Sequence, residues 1–314
     1  MVQIFKNEKM RQEVLSSYDE LLRMWGTEIE TRNVETRFGT THCLIAGRAD
    51  NPPLLLFHGV GDNSALMWAL NMKELSRRFF CIAVDTLGGP GKSVPNDRFV
   101  KGAFSQEEWL DDVADHFGLR TTFVAGVSNG AYLAYQYTVA RPERVRKAVC
   151  LEGGMVVSPI QSMLRTMMLM FPEMLMPTDR NLRNIIPKLC SPDSRVFDEH
   201  PLLASHLVLL MRSHNQKAMF PHQPRKYISE QGMALKDRFY FLVGDHHAVV
   251  GKSFIELLER DGYRYRIIPS AGHAINHEQP QSIHKEMFCF LLGDNLEKRE
   301  PYDLPIAEGR REYL

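Results

Sequence analysis

Short apolar runs alternate with segments of helical pattern along most of this chain of 314 residues. The run 53–57 (PLLLF) is wholly apolar, as expected for a strand that helices cover on both faces. Further strand-like runs lie at 79–84, 122–125, 145–151, 238–243 and 264–268, and helical patterns lie at 65–77, 106–117, 129–140 and 280–292. Strands that alternate with helices of about 10 to 15 residues form βαβ units. The sequence therefore predicts an α/β fold with a mostly parallel central sheet flanked by helices.

Three regions depart from this alternation and divide the chain. Residues 7–26 have helical spacing, so we expect an N-terminal helical extension over 1–27. Residues 155–236 hold 8 of the 17 prolines and 10 of the 16 methionines, without a convincing strand pattern. We interpret them as a helical cap inserted into a core formed by 28–154 and 237–293. Residues 294–314 are charged and carry two prolines, which indicates an extended C-terminal tail.

The charge and cysteine content exclude several classes of protein. Lys and Arg together number 38, as do Asp and Glu, so the basic excess typical of nucleic-acid or anionic-membrane binders is missing. No run approaches the roughly 18 apolar residues of a membrane-spanning helix, and the N-terminus lacks the apolar region of a signal peptide. The five cysteines are scattered and never form a CxxC pair, which argues against disulfides or a cysteine-based zinc site. We expect a cytoplasmic protein without a metal or cofactor.

The strongest local signal is the segment 126–130, GVSNG, which matches the pattern G-x-S-x-G. It directly follows an apolar run and precedes a helical segment, which is the context of a nucleophile elbow. In such a turn the strained backbone directs the serine hydroxyl away from the sheet, and side chains at the glycine positions would collide with neighbouring backbone. Ser128 is therefore the candidate nucleophile, and the N–H of Asn129 is a candidate oxyanion donor. The competing interpretation is a glycine-rich turn that caps a helix.

Two further loops at the carboxyl ends of predicted strands carry candidate site residues. The segment 58–61 (HGVG) follows the first apolar run, and a tight turn there would present the N–H of Val60 as a second oxyanion donor. Taken alone, this segment fits a βα turn that needs glycines equally well. His273 follows the run at 264–268, and a histidine at this edge of a parallel sheet can reach a serine on another strand.

Together these segments resemble the α/β-hydrolase superfamily. The resemblance rests on the order of the serine and the histidine and on four short segments, 58–59 (HG), 142–145 (PERV), 272–273 (GH) and 278–280 (EQP). It covers about residues 30–293 and most resembles bacterial serine carboxylesterases that carry an N-terminal helix and a helical cap. It implies an α/β-hydrolase fold and a serine hydrolase that forms and then hydrolyses an acyl-enzyme. His273 would act as general base for Ser128 and then as general acid for the leaving group.

The acidic member of the triad is where this chain departs from the family pattern. In the family the acid usually lies three residues after the glycine that ends the strand at 238–243, and His247 occupies that position here. Asp245 comes two positions early, so we expect its side chain to point elsewhere. Glu152 ends the apolar run 145–151, where certain haloalkane dehalogenases and the fungal zearalenone lactonases place their catalytic Glu. We favour Glu152 over Asp245, with a water-facing loop carboxylate as the alternative for Glu152.

Several reactions fit the same residues. Haloalkane dehalogenases and epoxide hydrolases use an aspartate where this chain has Ser128, so hydrolysis of an ester, a lactone or a carbon–carbon bond remains. We place a carboxylic ester of a small, largely apolar substrate first, with a lactone or a carbon–carbon bond as the alternative. The rival class is a small-molecule binding protein on the same fold, which the presence of both Ser128 and His273 disfavours.

Methionines are concentrated in the first part of the predicted cap. Six lie within 163–176, namely Met163, Met167, Met168, Met170, Met174 and Met176. Such a stripe is often ordinary helix core, but methionines also line adaptable apolar pockets. Both interpretations stay open from the sequence.

Overall fold

A computed structural model describes residues 2–247 and 249–294 of the chain, so the predicted tail lies, from residue 295 onwards, outside the described residues. The strands are β1 (Glu30–Thr36), β2 (Gly39–Ala46), β3 (Pro53–Phe57), β4 (Phe80–Val84), β5 (Val94–Pro95), β6 (Thr122–Val127), β7 (Val145–Leu151), β8 (Phe239–Gly244) and β9 (Arg264–Ile268). The α-helices are α1 (Glu8–Leu22), α2 (Ser64–Met67), α3 (Met72–Leu75), α4 (Gln106–His116), α5 (Asn129–Ala140), α6 (Pro159–Met170), α7 (Asp179–Arg183), α8 (Ile186–Leu189), α9 (Val196–Glu199), α10 (Pro201–Ser213), α11 (Ser229–Met233), α12 (Lys252–Arg260), α13 (Ile275–Glu278) and α14 (Pro280–Leu292). Of these described helices, none combines the length and apolar character needed to cross a bilayer.

The described strands form one sheet in the order β1-β2-β4-β3-β6-β7-β8-β9, with the short β5 paired to β2. The pairs β1–β2 and β2–β4 are antiparallel. The remaining pairs, from β4–β3 to β8–β9, are parallel. The residues that follow β3, β6, β7 and β9 therefore meet at one edge of the sheet, which is where ligands bind in open α/β sheets.

Two apolar layers cover the sheet because its central strands are buried on both faces. In β3, Leu54 and Leu56 belong to one cluster, and Leu55 and Phe57 belong to the other, since alternate side chains of a strand point to opposite faces. The first cluster also contains apolar residues of α1 and α14, and the second contains those of α4 and α5. The predicted α/β arrangement of a mostly parallel sheet between helices is therefore confirmed.

Two details of the predicted elements differ from the structure. The single helix expected over 65–77 is two short helices, α2 and α3. Asn63 caps α2, because its Oδ1 accepts the Leu66 N–H at 3.1 Å, and Asn71 donates from Nδ2 to the carbonyl of Asn276 at 2.7 Å. The bond from Asn71 to Asn276 is a tertiary contact at the break between α2 and α3. The local sequence pattern does not indicate it. Helix α12, between β8 and β9, was not predicted.

Helices occupy the segment between β7 and β8 that the sequence predicts as a cap. They are α6 to α11, and the described residues of this segment contain no strand apart from an isolated bridge between His214 and Phe5. Helix α10 packs against α1 and α2, so the segment contacts both the N-terminal helix and the core. The predicted domain bounds at 155 and 236 stay a prediction.

Three buried histidines connect this helical segment to the rest of the protein. His206 donates from Nδ1 to Ser17 Oγ at 2.8 Å, and its Nε2 accepts from Asn63 Nδ2 at 3.0 Å. His214 and His222 donate from Nε2 to backbone carbonyls of the loop after β4, at 2.9 and 2.7 Å. Burial lowers the pKa of all three imidazoles to about 4, because the imidazolium form would lose its hydration.

These histidines predict that acid weakens the fold below the pKa of unfolded histidine. An unfolded histidine binds a proton at a pKa of 6.5, whereas the three folded imidazoles stay neutral until about 4. The unfolded chain therefore binds more protons between these values, and the free energy of unfolding falls by up to about 1.4 kcal/mol per pH unit for each histidine. At about pH 7.5 and above, where both folded and unfolded imidazoles are mostly neutral, the three residues add little pH dependence.

Urea denaturation at about pH 7.5 and about pH 5 measures this loss. His222→Gln removes one of the three groups, so its free energy of unfolding will fall less between the two pH values than that of the unmodified protein. His116→Gln, at an exposed position of α4, serves as the matched control and will show the full loss. An unchanged loss in His222→Gln would contradict the prediction.

Candidate active site

Ser128 lies in a strained turn between β6 and α5, with φ 57° and ψ −114°. The flanking glycines permit this turn. A Cβ placed on Gly126 would lie 2.2 Å from the carbonyl carbon of Gly130, and a Cβ on Gly130 would lie 2.2 Å from the oxygen of Phe57. Side chains at both positions would thus collide with backbone atoms, so the turn requires glycine at 126 and at 130. The turn has the geometry of a nucleophile elbow at the carboxyl end of β6.

The loop after β3 lies beside this serine. A Cβ placed on Gly59 would be 3.7 Å from Ser128 Cβ. His58 holds the loop, because its Nε2 accepts a backbone N–H from the loop after β4 at 2.9 Å and its Nδ1 donates to the Gly59 carbonyl at 2.8 Å. The N–H groups of Val60 and Asn129 have no acceptor among the described residues. Both N–H groups are therefore available to a ligand.

The buried Glu152 and the partly buried His273 form a pair at the same edge of the sheet. The Glu152 side chain is fully buried, and its Oε2 lies 3.2 Å from Nδ1 of His273. Its Oε1 accepts the N–H of Gly244 at 2.7 Å. These two donors offset the cost of removing a carboxylate from water. With Nδ1 directed at the carboxylate, Nε2 of a neutral His273 carries a free lone pair that can accept a proton.

Asp245, the alternative acid, lies in a different environment. Its two carboxylate oxygens accept the backbone N–H groups of Ser270 and Ala271, at 3.0 and 3.2 Å. The carboxylate therefore closes the turn that follows β9. Of the two candidate carboxylates, the structure brings Glu152 and not Asp245 to the imidazole of His273.

A cavity of about 560 Å³ opens beside the serine and is lined by Ser128, Asn129 and Glu152 together with residues of α6 and α12. His273 is not among its lining residues, and no hydrogen bond joins it to Ser128 in the described part of the chain. Hydrogen bonds between catalytic groups are often long in unliganded enzymes and shorten when substrate binds. A separate open groove of about 630 Å³, beside the N-terminal segment, contains neither the serine nor the histidine.

The five methionines of the stripe whose side chains the structure describes do not line this cavity. Three of the six side chains are exposed by 60 to 77%, namely Met167, Met168 and Met176. Met170 and Met174 pack against a small apolar cluster within the helical segment. The side chain of Met163 lies outside the described residues. For these five described methionines the pocket interpretation is wrong, and the core interpretation holds for Met170 and Met174 alone.

Glu278 was not among the predicted site residues, although it contacts the loop of His273. Its Oε2 accepts the N–H of Gly272 and its Oε1 accepts the N–H of Ser191, both at 2.7 Å. Because Ser191 belongs to the helical segment between β7 and β8, this carboxylate joins that segment to the histidine loop. Burial raises the pKa of Glu278, and the two N–H groups oppose the rise. The signal for this residue was the segment 278–280, which the family resemblance already contained.

Known proteins share this fold and are up to 30% identical in sequence among those described below. The family described as alpha/beta hydrolase fold matches residues 52–194. Carboxylesterase YbfK of Bacillus subtilis (strain 168) is 30% identical over 286 residues, which cover 88% of this chain and 93% of that protein. A second protein of that organism, named uncharacterized carboxylesterase nap, is 26% identical over 288 residues, covering 88% and 91% of the two chains. The crystal structure of carboxylesterase CesB (YbfK) gives a TM-score of 0.76 at 27% identity and covers 91% of this chain and 100% of that one.

The fold is that of an α/β hydrolase, since parallel strands bring the serine turn and the histidine loop to one edge of the sheet. The 30% identity over nearly the full length of YbfK extends this likeness from the fold to the sequence family. The chain belongs to the α/β-hydrolase fold family, as the motifs predicted. It is an ester-hydrolysing enzyme of the carboxylesterase type.

The contacts of Glu278 predict a measurable contribution to stability. Glu278→Ala leaves the N–H groups of Gly272 and Ser191 without an acceptor, so we expect the free energy of unfolding to fall by about 2 to 3 kcal/mol. Urea denaturation followed by tryptophan fluorescence measures the change. Glu230→Ala removes an exposed carboxylate from α11 and serves as the control. Equal stabilities of the two variants would contradict the prediction.

Proposed function

We propose that the chain is a serine carboxylesterase that cleaves an ester of a small, largely apolar substrate through an acyl-enzyme. The main support is the pairing of His273 Nδ1 with Glu152 Oε2 at 3.2 Å, at the sheet edge where the strained turn presents Ser128. The names of the relatives YbfK and nap, both called carboxylesterases, support the same bond type.

In the first half of the reaction Ser128 Oγ attacks the carbonyl carbon of the ester, and Nε2 of His273 accepts the hydroxyl proton. The tetrahedral intermediate collapses, the alcohol leaves, and His273 returns the proton to the departing oxygen. In the second half water attacks the acyl-enzyme, with His273 again as base and Ser128 Oγ as leaving group. The acid is released and both side chains return to their initial protonation states.

Glu152 keeps His273 in the productive tautomer. Its Oε2 accepts the Nδ1 proton, which leaves Nε2 free to act as base, and its charge stabilises the imidazolium that forms during attack. The bond from the Gly244 N–H to Oε1 supports this role, because it fixes the carboxylate on the side away from the imidazole.

The N–H groups of Val60 and Asn129 form the oxyanion hole in this proposal. Neither has an acceptor among the described residues, and both belong to turns that adjoin Ser128. Such donors, fixed before the reaction begins, stabilise the tetrahedral intermediate by about 3 to 4 kcal/mol each. Asn129 is also the first residue of α5, where the positive end of the helix dipole favours negative charge.

The walls of the cavity support an apolar substrate. Apolar side chains line much of the cavity, among them Met155, Val156, Val157, Pro224, Val250, Phe254 and Leu257. Several of them belong to the segment 155–236, which therefore acts as a cap over the site in this proposal. A small ester with an apolar acyl or alcohol group gains free energy by leaving water for such a cavity.

A cytoplasmic location is part of the proposal. All five cysteines are free thiols, and four of them are buried. Unpaired thiols are typical of reducing compartments, which supports this location.

Ser128→Ala and His273→Ala test the nucleophile and the base. A fluorophosphonate probe will label the unmodified protein and not Ser128→Ala, because the label forms on the serine oxygen. His273→Ala will lower kcat for 4-nitrophenyl butyrate by about 10⁴-fold or more, since the serine loses its base. His116→Ala, on the exposed face of α4, is the control. Labelling or turnover that survives Ser128→Ala would overturn the proposal.

Glu152→Gln and Asp245→Asn test the assignment of the acid. In Glu152→Gln the amide oxygen can still accept the N–H of Gly244, but it no longer stabilises an imidazolium. We therefore expect a folded protein whose kcat is lower by up to about 10⁴-fold. Asp245→Asn will keep most of its activity, because its partners are backbone N–H groups of a turn. The reverse ranking of kcat would assign the role to Asp245.

A further inference from the structure

Arg165 is a cation that shares a cavity with Ser128 and has no acidic partner within the part of the chain that the structure describes. It lies on α6, and its side chain lines the same cavity as Ser128 and Asn129. Its Nη1 donates to the carbonyl of Val249 at 3.2 Å, and no carboxylate of the described residues is within ion-pair distance of it. A guanidinium carries five N–H donors, so most of the donors of Arg165 remain available to a bound molecule.

The backbone of residues 249–251 determines where this guanidinium lies. A Cβ placed on Gly251 would be 2.1 Å from Nη1 and 2.6 Å from Cζ of Arg165, so the guanidinium lies directly against the glycine Cα. A side chain at position 251 would displace it. The carbonyl of Val249 accepts one N–H of the Arg165 guanidinium, and Gly251 leaves space for the group. These two contacts position the positive charge in the cavity.

The other charged side chains that line the cavity do not neutralise Arg165. Glu152 is occupied by His273 and a backbone N–H. Arg260 is held by Asp261 through two hydrogen bonds of 2.7 and 3.0 Å. Glu256 is exposed on α12, and no ion pair joins it to another described residue. A negative group of a substrate is therefore stabilised at Arg165 and repelled near Glu256.

We propose that Arg165 binds an ionised carboxylate of the substrate, so that the enzyme prefers esters that carry a second, free acid group. This inference rests on the proposed serine carboxylesterase function. Guanidinium and carboxylate are both planar and pair through two parallel N–H···O bonds. Because Arg165 is exposed, salt in the solvent screens this pairing in part. The apolar remainder of the substrate then contacts those walls while the ester carbonyl faces Ser128.

The test compares two substrates that differ in one terminal group. Mono-4-nitrophenyl adipate and 4-nitrophenyl hexanoate have acyl chains of equal carbon number, and only the first ends in a carboxylate. Arg165→Gln will lower the ratio of kcat/KM for the adipate to kcat/KM for the hexanoate by about tenfold, mainly through KM of the adipate. Added salt will lower the same ratio for the unmodified enzyme, because mobile ions screen an exposed ion pair. The pair 4-acetoxybenzoate and 4-methylphenyl acetate repeats the comparison with the carboxylate on the leaving group.

Three further variants separate charge from position. Gly251→Ala retains the arginine but displaces its guanidinium, so it will lower the adipate ratio in the same direction. Glu256→Gln removes the opposing charge and will raise the ratio. Arg180→Gln removes an exposed arginine of α7 that does not line the cavity, and it will leave the ratio unchanged.

The outcomes distinguish this inference from the function on which it rests. A ratio that falls in Arg165→Gln for either substrate pair supports the carboxylate subsite and identifies the half of the ester that carries the acid. Ratios that stay unchanged for both pairs, in an enzyme that hydrolyses the neutral esters through Ser128, would overturn the subsite alone. A protein that hydrolyses neither the neutral nor the carboxylate-bearing esters would overturn the proposed function.

Discussion

The site depends on one buried carboxylate. Glu152 is 1% exposed, and an ion of this kind costs several kcal/mol when it leaves water without partners. It receives two, the N–H of Gly244 at the end of β8 and the imidazole of His273 after β9. Its own N–H also donates to the carbonyl of Leu242. Glu152 follows β7, and its partners lie at the end of β8 and after β9. One carboxylate therefore connects the carboxyl ends of these three strands beside the serine turn.

The helical segment between β7 and β8 contacts the loop of His273. The backbone N–H of His273 donates to the carbonyl of Leu189 at 2.6 Å, and Glu278 joins the N–H groups on both sides of this contact. A Cβ on Gly272 would lie 2.7 Å from the same carbonyl oxygen, so the two backbones approach as closely as a glycine allows. The position of the imidazole is therefore coupled to the helical segment, and a change there can alter catalysis without touching the substrate.

Much of this protein was predictable because its signals are local. The bounds of α5, α14, β7 and β9 match the sequence pattern to the residue, since periodicity and apolar runs report burial within a single element. Ser128 was recognisable because its turn requires glycine at 126 and 130 for steric reasons. This requirement is visible in the sequence as the G-x-S-x-G motif. His273 was recognisable from its place after a strand, because the carboxyl ends of parallel strands share one edge.

The amino-acid sequence by itself determined the alternation of strands and helices, the serine turn and the edge of the sheet at which the site lies. Only the tertiary structure shows that Glu152, and not Asp245, contacts the imidazole of His273, although both carboxylates follow a strand. It also decided the break between α2 and α3, the exposure of Met167 and Met168, and the place of Arg165 against Gly251. The reason is physical: these features depend on partners far away in the chain, as with Glu152 and His273, whose sequence separation is 121. Local periodicity contains no information about contacts at that separation.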